Sequence, residues 1–357
     1  MSDHVLPRDD LRALEGYHSA QVEVAVRLNT NESPYPPPDA FRARWTAALS
    51  ETELHRYPDR AALALRTRLA GFLDQPTSRL FAANGSNEVL QTLLLTYGGP
   101  GRRAAMFEPT YALHSHIARI TGTEVVVGER AADFSIDVAA AEELLASAHP
   151  TVLFVCSPNN PTGTVDDRDQ VEKLATLAAE HDALLVVDEA YGEFAPWSAV
   201  ELVAESLPIV VVRTYSKVWS LAAIRLGFAL APEWVVDELE KVALPYALSV
   251  PTLLAGEVAL DFRTEMEVRV AALVEERGRL FAALAEQPGL EVFPSGANFL
   301  LFRVDGDAHA VWEGLLARGV LVRDFSHWPR VEQCLRVTVG TPAENDAFLA
   351  ALQEVRG

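Results

Sequence analysis

The chain has 357 residues, of which 49% are hydrophobic, and its 50 acidic against 30 basic residues give a formal net charge of −20. Such an acidic surface repels nucleic acid and anionic membranes, so neither is expected as a partner. The length favours two domains over one small core. No basic region followed by an apolar run opens the sequence, and no apolar run reaches the roughly 18 residues of a membrane span. With two cysteines in all, we expect a reducing, cytoplasmic location.

Residues 1–28 are predicted to be a polar N-terminal arm with one short helix, and the proline-rich segment 29–38 can be neither helix nor central strand. Helical and strand patterns then alternate. Helices are predicted at 61–73, 89–97 and 167–181, and strands at 80–83, 104–107, 124–127, 152–156, 184–187 and 209–212. This alternation predicts an α/β domain with a mostly parallel central sheet and helices on both faces. A further strand at 226–231 follows too closely to be parallel and is predicted to be antiparallel.

The pattern changes after residue 246. A long helix is predicted at 252–286 and a shorter one at 308–318, with strands at 290–293, 299–304, 320–323 and 335–339. Short mixed elements of this kind are typical of a small α+β domain. The predicted organisation is an arm at 1–28, a large cofactor-binding domain at 29–246 and a small C-terminal domain at 247–357.

Three polar residues follow the buried-type strands at regular intervals. Asn160 and Asp188 are 28 residues apart, and Asp188 and Lys217 are 29 residues apart. One strand–helix–strand unit takes roughly 30 residues, and parallel sheets bind ligands at the carboxyl ends of their strands. An aldehyde cofactor with a basic ring nitrogen would use all three groups: the amine as a Schiff base, the carboxylate on the ring nitrogen and the amide on the ring hydroxyl.

Each of these residues also has an ordinary structural interpretation. Most lysines are simply solvated, and a buried Asp188 could belong to a structural salt bridge. The sequence Gly-Ser-Asn at 85–87 opens a helix, where backbone N–H groups bind phosphate, although such a start is often only a cap. Ser216 and Arg225 could add donors to a phosphate.

Several aromatic and basic residues are candidates of the same kind. Tyr111 could stack on a ring and Tyr191 could reach its hydroxyl, although tyrosines more often pack. Arg323 and Arg336 lie in or after apolar runs. Each could be an edge residue whose charged end reaches solvent, or part of a clamp that binds an anion. His114 and His116 are two residues apart, so their side chains would not share a helix face, and no metal site is expected.

Taken together, these motifs resemble fold-type I pyridoxal-phosphate-dependent aminotransferases of class I/II, and most closely the histidinol-phosphate aminotransferases. The resemblance spans nearly the whole chain. It is carried by Leu-Asn-Thr-Asn-Glu-Ser at 28–33, Arg-Tyr-Pro-Asp at 56–59, Asn-Gly-Ser-Asn-Glu at 84–88, Pro-Thr-Tyr at 109–111, Ser-Pro-Asn-Asn-Pro-Thr-Gly at 157–163, Asp-Glu-Ala-Tyr-Gly-Glu-Phe at 188–194, Arg-Thr-Tyr-Ser-Lys at 213–217, Leu-Ala-Ala-Ile-Arg-Leu-Gly at 221–227 and Leu-Arg-Val-Thr-Val-Gly-Thr at 335–341.

The resemblance implies a role for each matching residue. Lys217 would be the Schiff-base lysine and proton shuttle, with Asp188 on the pyridine nitrogen and Asn160 and Tyr191 on the ring oxygen. The implied cofactor-binding set is Gly85, Ser86, Asn87, Tyr111, Asn160, Asp188, Tyr191, Thr214, Ser216, Lys217, Arg225 and Tyr57, with Tyr57 crossing a homodimer interface. The implied substrate-binding set is Tyr17, Asn160, Arg323 and Arg336, with Asn298 nearby.

The implied reaction interconverts histidinol phosphate and 2-oxoglutarate with imidazole acetol phosphate and glutamate, as in histidine biosynthesis.

Some positions depart from the family pattern: Ala223, Asn87 and the pair Tyr35-Pro36. Since they remove no catalytic group, they bear on the substrate rather than on the chemistry. An aromatic amino acid aminotransferase and a phosphothreonine-type decarboxylase share the skeleton. A non-catalytic transcription regulator of this fold would need an added DNA-binding domain.

Overall fold

A computed structural model describes residues 5–12, 14–16 and 21–357. Its α-helices are α1 (Asp39–Ser50), α2 (Leu63–Leu73), α3 (Gly85–Tyr97), α4 (Ala112–Ile120), α5 (Val138–Ala148), α6 (Arg168–Glu180), α7 (Glu233–Val242), α8 (Val250–Ala259), α9 (Arg263–Ala285), α10 (Ala308–Ala317) and α11 (Pro342–Arg356). Its strands are β1 (Val26–Arg27), β2 (Leu80–Ala83), β3 (Arg103–Glu108), β4 (Glu124–Glu129), β5 (Val152–Cys156), β6 (Leu184–Asp188), β7 (Ile209–Thr214), β8 (Gly227–Leu230), β9 (Leu290–Val292), β10 (Phe299–Val304), β11 (Val320–Leu321), β12 (Arg323–Asp324) and β13 (Cys334–Thr338). None of the helices in the described ranges is long and apolar enough to cross a membrane.

A seven-stranded sheet in the order β2-β8-β7-β6-β5-β3-β4 forms the centre of the molecule. Strands β4, β3, β5, β6 and β7 pair in parallel, whereas β8 pairs antiparallel with both β7 and β2. Every residue of β5, β6 and β7 is buried. Strands covered on both faces are mostly apolar, which explains the valine-rich and leucine-rich runs that precede Asp188 in β6 and Arg213 in β7. The predicted parallel sheet with one antiparallel strand is therefore confirmed.

The crossover helices cover this sheet with one apolar face each. In α6, for example, Val171, Leu174 and Ala178 are buried at helical spacing. The helix begins where the Asp167 side chain accepts a hydrogen bond from the backbone N–H of Gln170, a common N-terminal cap. These helices return the chain to the same end of the sheet after each strand, so successive strands present their carboxyl ends on one side.

The C-terminal part forms a four-stranded antiparallel sheet in the order β12-β13-β10-β9. Strand β1, which ends the predicted N-terminal arm, pairs in parallel with β11. Leu28 packs in the hydrophobic cluster of this C-terminal part. The chain thus runs from the C-terminal sheet directly into the segment 29–38 beside the central sheet.

Two predicted elements differ from the structure. The helix expected at 252–286 is interrupted by a 3-10 turn at Leu260–Phe262 that separates α8 from α9. In this turn the Asp261 carboxylate pairs with the guanidinium groups of Arg44 and Arg68. The Phe262 ring packs edge-on against Phe41 at 6.1 Å. These contacts tie the turn to α1 and α2, and a sequence pattern does not reveal them.

The second difference concerns the strand expected at 320–323. The chain there forms two short strands, with β11 pairing with β1 and β12 pairing with β13. The change of partner at residue 322 allows Arg323 to join the sheet that also carries Arg336. In the arm, the described part of the expected short helix is a 3-10 turn at Asp9–Leu11.

A buried ion pair fixes the loop between β5 and α6, which carries Asn160. Arg130 contacts Asp166 at 3.2 Å, and both side chains are almost completely buried. Arg130 also donates to the carbonyl of Cys156 at 3.2 Å, and the backbone N–H of Asp166 donates to Ser157 Oγ at 2.9 Å. Burial raises the pKa of Asp166, while Arg130 acts in the opposite direction.

Removing only the cation of this pair should be strongly destabilising. Arg130→Met leaves the Asp166 charge buried without its partner, and we expect a loss of about 3–5 kcal/mol in unfolding free energy. Urea unfolding at neutral pH measures this loss. The matched control is Arg168→Met, which removes a pair that is half exposed, and should cost about 1 kcal/mol or less. The double variant Arg130→Met/Asp166→Leu should be more stable than Arg130→Met. Equal costs for Arg130→Met and Arg168→Met would contradict this account.

Candidate active site

A cavity of about 260 Å³ opens at the carboxyl ends of β5, β6 and β7. Most of the predicted site residues line it, although they come from distant parts of the chain. The predicted residues in its wall are Ser86, Asn87, Tyr111, Asn160, Asp188, Tyr191, Thr214, Ser216, Lys217, Arg225, Arg323 and Arg336. Asn160, Asp188 and Lys217, the three residues singled out by their regular spacing, are thus brought to one cavity.

Lys217 lies three residues beyond β7, and its amine points into the cavity. Its Nζ donates to the carbonyl of Thr30 at 2.9 Å and lies 5.7 Å from the centre of the Tyr191 ring. Burial lowers the pKa of Lys217 to about 8, and the positive charges of Arg336 and Arg225 add to that effect. A lysine whose pKa is about 8 has a substantial neutral fraction near neutral pH, which nucleophilic attack on an aldehyde requires.

Asp188 is the last residue of β6 and is 1% exposed. Its Oδ2 lies 3.0 Å from His114 Nε2, and its Oδ1 accepts from the backbone N–H of Ala190 at 3.1 Å. The His114 ring stacks on Phe154 with centres 4.8 Å apart. This contact of His114 was not predicted from the sequence, in which the residue stood out only as a possible metal ligand. A lone histidine on the buried face of a helix carries no sequence signal that would pair it with Asp188.

The N-terminus of α3 forms an open cradle because two glycines keep side chains away from it. Gly85 has φ +77°, and a Cβ there would lie 2.7 Å from the Arg225 guanidinium. A Cβ on Gly227 would lie 2.3 Å from the backbone nitrogen of Ser86. Across the cradle, Thr214 Oγ1 donates to Ser216 Oγ at 3.0 Å, and Arg225 approaches the same oxygen at 3.4 Å. Free helix N–H groups, hydroxyls and a guanidinium are the donor set that binds a phosphate.

Two polar groups on the cavity wall have their acceptor atoms already occupied. Tyr191 OH accepts from the Asn31 side chain at 2.9 Å, and Asn160 Oδ1 accepts from Arg336. The tyrosine O–H and the asparagine NH2 can therefore still donate to a ligand oxygen. Burial raises the pKa of Tyr191 to about 12, so it keeps its proton at neutral pH. Asn31 lies in the motif at 28–33, but its contact with Tyr191 was not predicted from the sequence.

The two C-terminal arginines lie beside each other. Arg323 on β12 and Arg336 on β13 are directly opposed in register, and both line the cavity. Arg336 is 6% exposed and donates to the Asn29 carbonyl at 2.8 Å. Like charges at opposed positions repel, so an anion lying between the two guanidinium groups would be bound by both.

Three of the predicted residues that the structure describes lie outside the cavity wall. Gly85 acts through the backbone at the start of α3, and the Asn298 amide donates to the Asn31 carbonyl at 3.2 Å behind the site. Tyr57 is 82% exposed and stacks on Tyr246 with ring centres 4.6 Å apart. Tyr17 lies outside the described residues.

Comparison with known proteins agrees with this geometry. The family model for aminotransferase class I and II matches residues 23–352. This chain belongs to the class I and II aminotransferases. A relative from Corynebacterium glutamicum, a histidinol-phosphate aminotransferase, is 42% identical over 98% of this chain and 96% of its own length. Another of the same name from Streptomyces avermitilis is 45% identical over 99% of this chain and 97% of its own. The resemblance inferred from the motifs is confirmed.

The fold comparison extends to more distant aminotransferases. A solved structure of histidinol-phosphate aminotransferase from Sinorhizobium meliloti, in complex with pyridoxal-5'-phosphate, matches with a TM-score of 0.86 at 24% identity. The match covers 93% of this chain and 91% of that one. The predicted fold-type I architecture is therefore confirmed.

Pyridoxal phosphate fits the residues of this aminotransferase site. The glycine-bounded cradle at α3 suits its phosphate, buried Asp188 suits its ring nitrogen, and the two donors Tyr191 and Asn160 suit its ring oxygen. Lys217 supplies the amine for its aldehyde. Tyr111 also lines the cavity, and its OH donates to Asn87 Oδ1 at 3.3 Å. The aromatic side chain is thus held where it can contact the cofactor ring.

The lowered pKa of Lys217 predicts a distinct reactivity in the cofactor-free protein. The chain has three lysines, Lys173, Lys217 and Lys241, and the first and last are exposed controls. Labelling by an amine-directed reagent, mapped by mass spectrometry, should give Lys217 a midpoint near pH 8. Folding disfavours the protonated amine of Lys217, and only the neutral amine reacts. Its reactivity should therefore rise as the pH increases through that midpoint. A Lys217 midpoint at or above those of the two exposed lysines would show that the site does not activate this amine.

Proposed function

We propose that this aminotransferase transfers an amino group from glutamate to imidazole acetol phosphate, reversibly forming 2-oxoglutarate and histidinol phosphate, as in histidine biosynthesis. The structural observation that carries the proposal is the opposed pair Arg323 and Arg336, which both line the cavity. The names of the relatives at 42–45% identity over nearly the full length agree with it.

The side chains of the site divide the chemistry among themselves. When bound, pyridoxal phosphate supplies an aldehyde and an electron-withdrawing ring. Lys217 is the amine that reaches that aldehyde and, when free, the base that moves a proton between the substrate carbon and the cofactor. Asp188 holds a proton on the ring nitrogen, and His114 orients this carboxylate. Tyr191 and Asn160 direct hydrogen-bond donors toward the ring oxygen.

One clamp must bind two different anions. Glutamate brings a carboxylate to the reacting carbon, whereas histidinol phosphate lacks that carboxylate and brings a phosphate instead. Guanidinium groups offer planar pairs of donors that match either anion. Arg336 is fixed by Asn160 and by the carbonyl of Asn29, which supports a role in binding both substrates. The greater exposure of Arg323 on β12 supports a role in binding the additional charge of the phosphate.

The two arginines should therefore respond differently to truncation. Arg323→Ala should lower kcat/KM for histidinol phosphate more than for glutamate, whereas Arg336→Ala should lower both. Loss of a charge-assisted contact costs about 1.5–3 kcal/mol, or roughly 10- to 150-fold. These changes in kcat/KM are measured by steady-state kinetics with glutamate, 2-oxoglutarate, histidinol phosphate and phenylalanine side by side.

Two controls belong to that experiment. Arg318→Ala removes a surface arginine that pairs with Glu354 and should leave all rates unchanged, whereas Lys217→Ala should abolish turnover. Equal losses for glutamate and histidinol phosphate in Arg323→Ala, together with wild-type preference for phenylalanine, would favour an aromatic amino acid aminotransferase.

We further propose that the active species is a cytoplasmic homodimer in which Tyr57 reaches the cofactor phosphate of the second copy. An exposed apolar patch supports this: Tyr57, Leu244 and Tyr246 are 82%, 77% and 44% exposed. Large apolar side chains grouped in this way are typical of a protein interface.

We also propose that the chain is divided into two domains near residue 246.

Disrupting this patch should separate the copies. Leu244→Asp should shift the protein toward monomer in sedimentation, while the control Val268→Asp, at a 65% exposed apolar position on α9, should not. Tyr57→Phe keeps the ring but removes the hydroxyl, so it should weaken cofactor binding about 10-fold or more, with Tyr246→Phe as the matched control. A wild-type protein that sediments as a fully active monomer would refute the dimer.

A further inference from the structure

The segment from Phe325 to Val331 forms an aromatic wall on the cavity beside the two arginines. Both Phe325 and Trp328 line the cavity. The Phe325 ring lies 5.9 Å from the Arg323 guanidinium and 5.4 Å from that of Arg336. Trp328 follows Phe325 outward, with their ring centres 5.0 Å apart and their planes at 75°. An anion held by the arginines would therefore have aromatic surface immediately next to it.

Three of the other tryptophans are anchored through their indole N–H groups. The indole N–H groups of Trp45, Trp197 and Trp312 each donate to a backbone carbonyl. In the described part of the chain, the Trp328 indole N–H has no acceptor, and its side chain remains 36% exposed. Buried tryptophans usually satisfy this N–H. Trp328 instead presents a large apolar face at the cavity without that structural anchor.

The backbone nevertheless holds Trp328 in place. Its N–H donates to the Phe325 carbonyl at 2.9 Å, and its own carbonyl accepts from Val331 N–H at 3.3 Å. Arg330, two residues on, pairs with Glu108 at 3.2 Å and with Glu129. These carboxylates lie on β3 and β4, so the ion pairs tie the segment to the central sheet. A contact surface fixed in advance loses less entropy when a ligand binds.

We propose that Trp328 is a specificity-determining residue that contacts the heteroaromatic ring of the substrate while Arg323 and Arg336 hold the phosphate. This inference rests on the proposed function, which supplies a substrate with a ring at one end and a phosphate at the other. The amino donor glutamate has no ring and gains nothing from the indole. Trp328 thus favours the ring-bearing substrate over glutamate, whereas the arginine clamp serves both.

The test compares wild-type, Trp328→Ala and Trp328→Phe holoenzymes. The measured quantity is the ratio of kcat/KM for histidinol phosphate to that for glutamate. Aromatic pairs contribute about 0.5–1.5 kcal/mol, so Trp328→Ala should lower the ratio roughly 3- to 10-fold. Trp328→Phe keeps a flat ring and should retain most of the wild-type ratio. Trp234→Ala, at a similarly exposed surface position on α7 (43%), is the matched control and should not change the ratio.

A second measurement separates ring recognition from a structural effect. Phosphoethanolamine carries an amine and a phosphate but no ring, and it should compete with histidinol phosphate. Trp328→Ala should not weaken its inhibition, whereas Arg323→Ala should. If Trp328→Ala weakens the binding of histidinol phosphate, glutamate and phosphoethanolamine equally, the residue only supports the fold of the wall. If the ratio of kcat/KM values is unchanged, the residue does not contact the ring. Either result overturns the inference. A wild-type enzyme inactive with histidinol phosphate overturns the proposed function and this inference together.

Discussion

Parallel hydrogen bonding of β5, β6 and β7 is the constraint on which the site depends. Cys156 and Asp188 are register partners, as are Asp188 and Val212, so the three strands reach the same edge together. Because successive strand residues face opposite sides of the sheet, a shift by one residue would turn Asp188 away from the cavity. The backbone hydrogen bonds between these strands hold this register. The pairing thus sets the position of the carboxylate, and through the following loops that of Asn160 and Lys217.

The same geometry concentrates positive charge in an otherwise acidic chain. With a net charge of −20 over the whole sequence, the cavity wall still carries Lys217, Arg225, Arg323 and Arg336. Burial lowers the pKa of Lys217, and the positive charges of Arg336 and Arg225 lower it further, because each positive charge disfavours another nearby. An anion bound to either arginine opposes this effect of the charges. Anion binding and the protonation of the lysine are therefore coupled through the electrostatics of one small cavity.

The sequence predicted the residues that follow strands, because an apolar run ending in a polar residue is a local pattern and the interval between such runs reflects one structural unit. It did not predict His114, which reaches Asp188 from a helix 74 residues earlier in the chain. Nor did it assign a role to Asn31, whose partners Tyr191 and Thr338 are 160 and 307 residues away. The break at Leu260–Phe262 also arises from contacts with α1 and α2. These features depend on tertiary packing and leave no periodic signal.

The anion clamp joins the two sheets. Arg336 extends from β13 to Asn160 in the loop after β5, and Arg330 extends from the segment after β12 to β3 and β4. A guanidinium fork accepts carboxylate and phosphate oxygens with similar geometry, so the clamp alone distinguishes the two substrates mainly by charge. The rest of each substrate differs more, since one is a short acid and the other carries a flat ring. The surfaces beside the clamp, where the chain places aromatic side chains, therefore add discrimination by the ring to discrimination by charge.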